Sequence, residues 1–80
     1  MLATILRLPA VKADTGLSRS TIYLYASQGL FPKPASLGAR AVGWPSDEIA
    51  ALNAARIVGK SDDEIRMLVV KLEAARKRAA

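Results

Sequence analysis

Arg19, Ser20, Thr21 and Tyr23 crowd four hydrogen-bonding side chains into five consecutive positions. These types suit base edges and phosphate oxygens better than bond-breaking chemistry. An arginine can bond guanine O6 and N7 in bidentate fashion, and hydroxyls reach bases or phosphates. Ser18 just before the group and Tyr25 just after it extend the set, and Lys33 and Arg40 flank a small tip, Gly38-Ala39, where a backbone could approach a duplex closely. Arg19, Ser20 and Thr21 are therefore the candidate base readers, and Ser18, Tyr23, Tyr25, Lys33 and Arg40 the candidate backbone contacts. The competing reading of the same residues is a polar helical hairpin with solvated cations.

Several chemistries lack their residues. The chain has no histidine and no cysteine, so it offers no disulfide framework, no zinc site of the usual ligands and no Ser-His or Cys-His pair. An enzyme is not expected, and neither is a metal or another cofactor. Twelve basic side chains stand against seven acidic ones, a net charge of +5. Residues 1–60 carry seven of the cations and three of the acids, whereas residues 61–80 are nearly balanced. A basic body with a near-neutral tail suits a polyanionic partner, either nucleic acid or an acidic membrane surface. No apolar run approaches the ~18 residues of a spanning helix, and the run from Met1 to Leu6 stops at Arg7. A cytoplasmic location without membrane contact is the expectation.

The elements that must position these groups are punctuated by proline and glycine. Eighty residues suffice for one small core, and 15 of the apolar residues are alanine, which favours short packed helices over a barrel. Pro9 opens a helix that Ala10 to Thr15 continue and Gly16 ends. Ser18 caps a second helix, Arg19 to Gln28, by accepting from the amide near Thr21. Two short helices joined by Thr15-Gly16-Leu17-Ser18 form the outline of a helix-turn-helix. Phe31-Pro32-Lys33-Pro34 is held extended by its prolines. Ala35-Ser36-Leu37 and Ala41-Val42-Gly43-Trp44 then read as two strands of a wing around Gly38-Ala39-Arg40. Phe31, Leu37, Val42 and Trp44 are expected to cover the core. Ser46 reads as the N-cap of a third helix with Asp47 and Glu48 in its first turn, and Gly59 as its end. Ser61 and Glu64 form a capping box for a fourth helix, Asp62 to about Arg78.

Leu8-Pro9, Thr15-Gly16-Leu17-Ser18-Arg19-Ser20-Thr21-Ile22-Tyr23, Gly29, Phe31-Pro32-Lys33-Pro34, Leu37-Gly38 and Arg40-Ala41-Val42-Gly43-Trp44 together resemble the AlpA family. These are small prophage-type regulators with a winged helix-turn-helix related to the MerR and excisionase DNA-binding domains. The likeness runs over about residues 5–58. It implies binding to a double-stranded DNA site, with control of transcription from prophage or mobile-element genes, and a place on the bacterial nucleoid. It also implies that the second helix is the reader, with Arg19, Ser20, Thr21 and Tyr23 on the family's motif. An integrase or RNA polymerase is the protein contact such a role invites. Leu24, Leu30 and Ser36 stand where the family commonly carries basic residues, and Asn53 where it usually carries an apolar one.

Residues 61–80 extend past that likeness. Ile65, Leu68, Val69 and Leu72 form a stripe at i, i+3, i+4 and i+7, continued by Ala75 and Ala79. Met67, Val70 and Ala74 make a second, weaker facet. The first stripe is expected to complete the core. Ile65, Met67, Leu68, Val69, Val70 and Leu72 are together the candidate dimerisation set, giving a homodimer or a cooperative oligomer on DNA. Arg76-Lys77-Arg78 reads as a frayed, solvated end. The architecture expected is mainly α, a winged helix-turn-helix in residues 1–60 with an amphipathic helix in residues 61–80. Two other functions fit the same residues. One is an excisionase-like factor that bends attachment-site DNA, and the other is a protein-interaction adaptor working through the last helix.

Overall fold

The computed structural model describes residues 4–79. Residues 1–3 and 80 and the side chains of Lys77, Arg78 and Ala79, with their parts in the apolar start, the basic end and the stripe of the last helix, lie outside the described residues. Helix α1 spans Leu8–Thr15, with Pro9 in its first turn. Gly16 ends it with φ 72°, its N–H donating to the Lys12 carbonyl. A residue with a Cβ takes that left-handed conformation at a cost of ~1–2 kcal/mol, which is why glycine stands here. The Thr15 hydroxyl donates to the Val11 carbonyl at 2.7 Å and accepts from the Leu17 N–H at 3.3 Å, fastening the turn.

Helix α2 spans Arg19–Ser27 and is capped as its sequence predicts, the Ser18 Oγ accepting from the Thr21 N–H at 3.2 Å. At the other end the Leu30 N–H reaches the Tyr25 carbonyl at 2.8 Å and the Gly29 N–H the Ala26 carbonyl at 3.3 Å. That pair of bonds is a Schellman closure, and it turns the chain sharply into Phe31-Pro32.

Strands β2 (Ala35–Gly38) and β3 (Ala41–Pro45) form the expected wing. A third strand, β1 (Ile5–Leu6), was not anticipated from so short a segment. It pairs with β3 through Ile5 opposite Pro45 and Leu6 opposite Trp44, giving the antiparallel order β1-β3-β2. The register of β2 slips between Ser36 and Gly38, and the bulge leaves Leu37 42% exposed. Leu37 is therefore not part of the cover over the core, and Val42 is only half-buried, whereas Phe31 and Trp44 are fully buried. Gly43 sits at the centre of the sheet, where an added Cβ would fall 2.6 Å from Ile5 Cγ2 and 2.9 Å from the Leu6 carbonyl oxygen. Gly43→Ala should force β1 away from β3 and lower stability by about 1–3 kcal/mol, measurable as a reduced denaturant midpoint.

Helix α3 spans Ser46–Val58 and α4 spans Asp62–Ala79. The cap of α3 departs from expectation. Strand β3 runs to Pro45, which occupies the cap position, so Ser46 lies inside the helix. Its hydroxyl accepts from the Thr4 N–H at 3.0 Å, and its own N–H donates to the Thr4 carbonyl at 2.6 Å. Ser46 thus ties the start of β1 to the start of α3. The capping box of α4 forms as predicted, Ser61 and Glu64 each accepting from the other's N–H. Hydrogen bonds from Ser61, with Lys60 nearby, hold the Glu64 carboxyl below the usual carboxylate range.

One core joins all four helices and the sheet: Val11 from α1, Ile22 and Ala26 from α2, Leu30 and Phe31 from the segment after α2, Trp44 from β3, Ile49 and Leu52 from α3, and Ile65 and Val69 from α4. Leu30 is buried, so a cation at this position would be a core charge and not a surface one. Asn53 has its own reason, since its side-chain amide donates to the Asp14 carbonyl at 3.0 Å and links α3 to the end of α1.

Candidate nucleic-acid interface

Helix periodicity of about 100° per residue partitions α2. Ile22 and Ala26 enter the core, while Arg19, Ser20, Tyr23 and Leu24 are exposed. The three proposed readers are not equivalent. Arg19 lies with its guanidinium carbon 5.8 Å from the centre of the Tyr23 ring. The Tyr23 ring in turn meets Trp44 edge-on at 6.3 Å, and Trp44 meets Phe31 in the same manner at 6.2 Å. Trp44 is itself fixed by its indole N–H, which donates to the Pro32 carbonyl at 2.8 Å. A chain of contacts thus runs from the buried indole to an exposed cation and limits the orientations Arg19 samples. A cation over a ring face at an exposed site contributes about 0.5–1 kcal/mol.

Ser20 is exposed on the outer face. Thr21 is half-buried, and its hydroxyl lies 2.9 Å from the Ser18 Oγ. Ser18 and Thr21 therefore belong first to the helix cap, and Thr21 faces away from Arg19. Tyr23 and Tyr25 occupy opposite flanks. Tyr25 packs against the core, with the Arg56 guanidinium 5.2 Å from its ring centre. Arg56 also donates to the Leu30 carbonyl at 3.2 Å, a role that residue-type reading did not assign it. Arg40 is exposed at the wing tip and holds φ 64°, the one non-glycine residue with positive φ among those described. Lys33 projects from the segment leading into β2, and its backbone N–H donates to Glu73 Oε2 at 2.9 Å.

Helix α4 ties this surface down. Arg66 Nε donates to the Gln28 carbonyl at 2.9 Å, at the end of α2. Arg76 is not a solvated end. It makes two hydrogen bonds to Glu48, at 2.6 and 2.7 Å, and these raise its pKa above the ordinary arginine value. Glu48 is 4% exposed, so it is a buried acid paired across the fold as well as a favourable charge in the first turn of α3. Of the dimerisation set, Ile65 and Val69 are spent inside the chain's own core and Leu68 and Leu72 are half-buried, while Met67 and Val70 are 64% and 66% exposed. The far facet is open, as its sequence predicts.

The family model for the prophage CP4-57 regulatory protein (AlpA) matches residues 4–57, which spans β1 through α3 and every exposed α2 and wing residue just described. The chain belongs to the AlpA family. That is a family of regulators, not of enzymes. Two relatives are similar to the chain, an uncharacterized phage protein and a protein that bears the family's name. ORF88 of Enterobacteria phage P4 is 47% identical over 55 residues, covering 69% of this chain and 62% of its own length. The DNA-binding transcriptional activator AlpA of Escherichia coli K12 is 45% identical over 51 residues, covering 56% of this chain and 73% of its own. The chain thus spans under two-thirds of the length of the phage relative. No solved structure matches it. Helix α4 lies beyond the AlpA match, yet it supplies two core residues and three polar ties to the matched part. Among the described residues, no helix is long and apolar enough to cross a membrane.

Proposed function

We propose that this chain binds double-stranded DNA in a sequence-specific manner and regulates transcription of prophage or mobile-element genes, acting in the bacterial cytoplasm on the nucleoid. The observation that carries the reading is the free, capped amino-terminal end of α2, where Arg19 rests on Tyr23 beside the open hydroxyl of Ser20. Helix-turn-helix proteins insert this end of the second helix into the major groove. The name of the Escherichia coli relative, a DNA-binding transcriptional activator, agrees with it. Arg19 and Ser20 read bases, and Thr21, engaged with Ser18 in the cap, steadies the helix end from which they project. A helix in the major groove has one phosphate backbone on each side. Tyr23 on one flank, Tyr25 on the other, the Ser18 hydroxyl at the start, and Lys33 and Arg40 from the wing suit those backbones.

Selection of bound duplexes from a random pool tests the reading directly: one preferred site should emerge. With that site, affinity should fall steeply as salt rises, and Lys33→Ala or Arg40→Ala should flatten the log–log slope by about one unit each. A slope near zero would mean that the cations touch no phosphate and would favour an adaptor role for α4. A strong bend at several adjacent sites would favour the excisionase-like reading instead. We also propose that the open facet around Met67 and Val70 pairs with a second copy, as a dimer or on DNA. Sedimentation should then show mass growing with concentration in wild type but not in a Met67→Glu, Val70→Glu variant.

A further inference from the structure

We infer that Leu24 is a specificity-determining residue that reads the 5-methyl group of a thymine. The inference rests on the DNA reading proposed above and goes beyond it. On α2 the other aliphatic side chains, Ile22 and Ala26, are buried, yet Leu24 is 52% exposed. It stands one turn after Ser20 and one turn before Ser27 on the outward face, since residues spaced i, i+4 and i+7 share a side of a helix. The Ser27 hydroxyl is turned back onto the Leu24 carbonyl at 2.6 Å, so it competes little for the space in front of the helix. Leu24 therefore presents the largest apolar group along the face that would enter the groove.

In that position its isobutyl group must lose water against something. The floor of the major groove is mostly hydrogen-bond donors and acceptors, and its distinctive apolar feature is the C5-methyl of thymine. Against cytosine, guanine or adenine the leucine would cover polar edges that it cannot bond, which is a penalty and a source of discrimination. Arg19 and Ser20 select by hydrogen bonds, and Leu24 selects by a methyl contact one turn further along. The preferred site should carry a thymine on the side of the guanine that corresponds to the advance along α2.

The experiment uses the full chain and the duplex chosen by selection from a random pool. Each thymine is replaced in turn by deoxyuridine, which removes the methyl group and keeps the pairing and O4. At one position per bound copy the wild-type protein should lose about fourfold in affinity, the loss expected from one methyl-sized group. Leu24→Ala should bind the thymine duplex more weakly and respond less than twofold to deoxyuridine at that same position. If every deoxyuridine duplex binds wild-type protein as the thymine duplex does, or if Leu24→Ala shows the same fourfold response, the inference is overturned while the DNA reading stands. If the pool yields no preferred site at all, the DNA reading falls and the inference with it.

Discussion

Arg76→Ala should lower the stability of the chain by about 3 kcal/mol, because it strands the Glu48 carboxylate, which is 4% exposed in the fold, without its partner. The pair borders an open cleft lined by Ile5, Pro45, Asp47, Leu72 and Ala75, so water can reach part of the freed charge. Arg76 keeps 24% of its side chain exposed, which places the loss toward the lower end for a broken buried pair. In a chain of this size that corresponds to a fall in Tm of roughly 12 °C or more. Glu48→Ala should cost less, since it removes the buried charge and leaves the partly exposed arginine to water. Replacing both partners together, Glu48→Leu with Arg76→Met, should recover most of the stability, because apolar groups of similar volume fit the surrounding side chains. Thermal and urea unfolding of the four proteins measures all of this. Equal small losses in all three variants would show that the pair is a surface ornament.

Arg19→Ala should weaken binding to the preferred duplex by about 1–3 kcal/mol, a factor of roughly five to more than a hundred, and leave binding to random duplex far less affected. The asymmetry is the informative part. A bidentate bond to guanine is lost only where the guanine is present, whereas a phosphate contact is lost on every sequence. Arg19→Lys should not restore the discrimination, because an ammonium cannot supply the paired, coplanar donors of a guanidinium. Tyr23→Phe should keep the ring under Arg19 and its edge against Trp44, so it should lose only what the phenolic hydroxyl gives to phosphate. Tyr23→Ala should also free Arg19 and reduce discrimination. Titration of labelled cognate and random duplexes reports each term, and equal losses on both by Arg19→Ala would move this residue from the base readers to the backbone contacts.

The parts of the molecule that could be read from residue order are those governed by neighbours within a few positions. The Ser18 cap, the left-handed turn at Gly16 and the Ser61–Glu64 box all formed where expected, since backbone sterics and side-chain-to-amide bonds act over three or four residues. The outward position of Leu24 was also implicit there, because Ile22 and Ala26 face inward at fixed helical spacing. The resemblance over residues 5–58 led to the family that the comparison over residues 4–57 establishes.

Tertiary structure decided what depends on partners far along the chain. Two residues, Ile5 and Leu6, form a strand only because β3 offers them an edge and Gly43 leaves room for the approach. Ser46 left the cap because Thr4 came to meet it. Glu48 and Arg76, 28 positions apart, each read as an ordinary helix-end charge until folding buried the one and brought the other across. Arg19 was legible as a donor, but its seat on Tyr23, held in turn by Trp44, was not. Local order fixes which groups are available, whereas the shape of the core determines which of them meet. Burial raises the stakes of a meeting between charges or rings, and no pattern of neighbours along the chain records it.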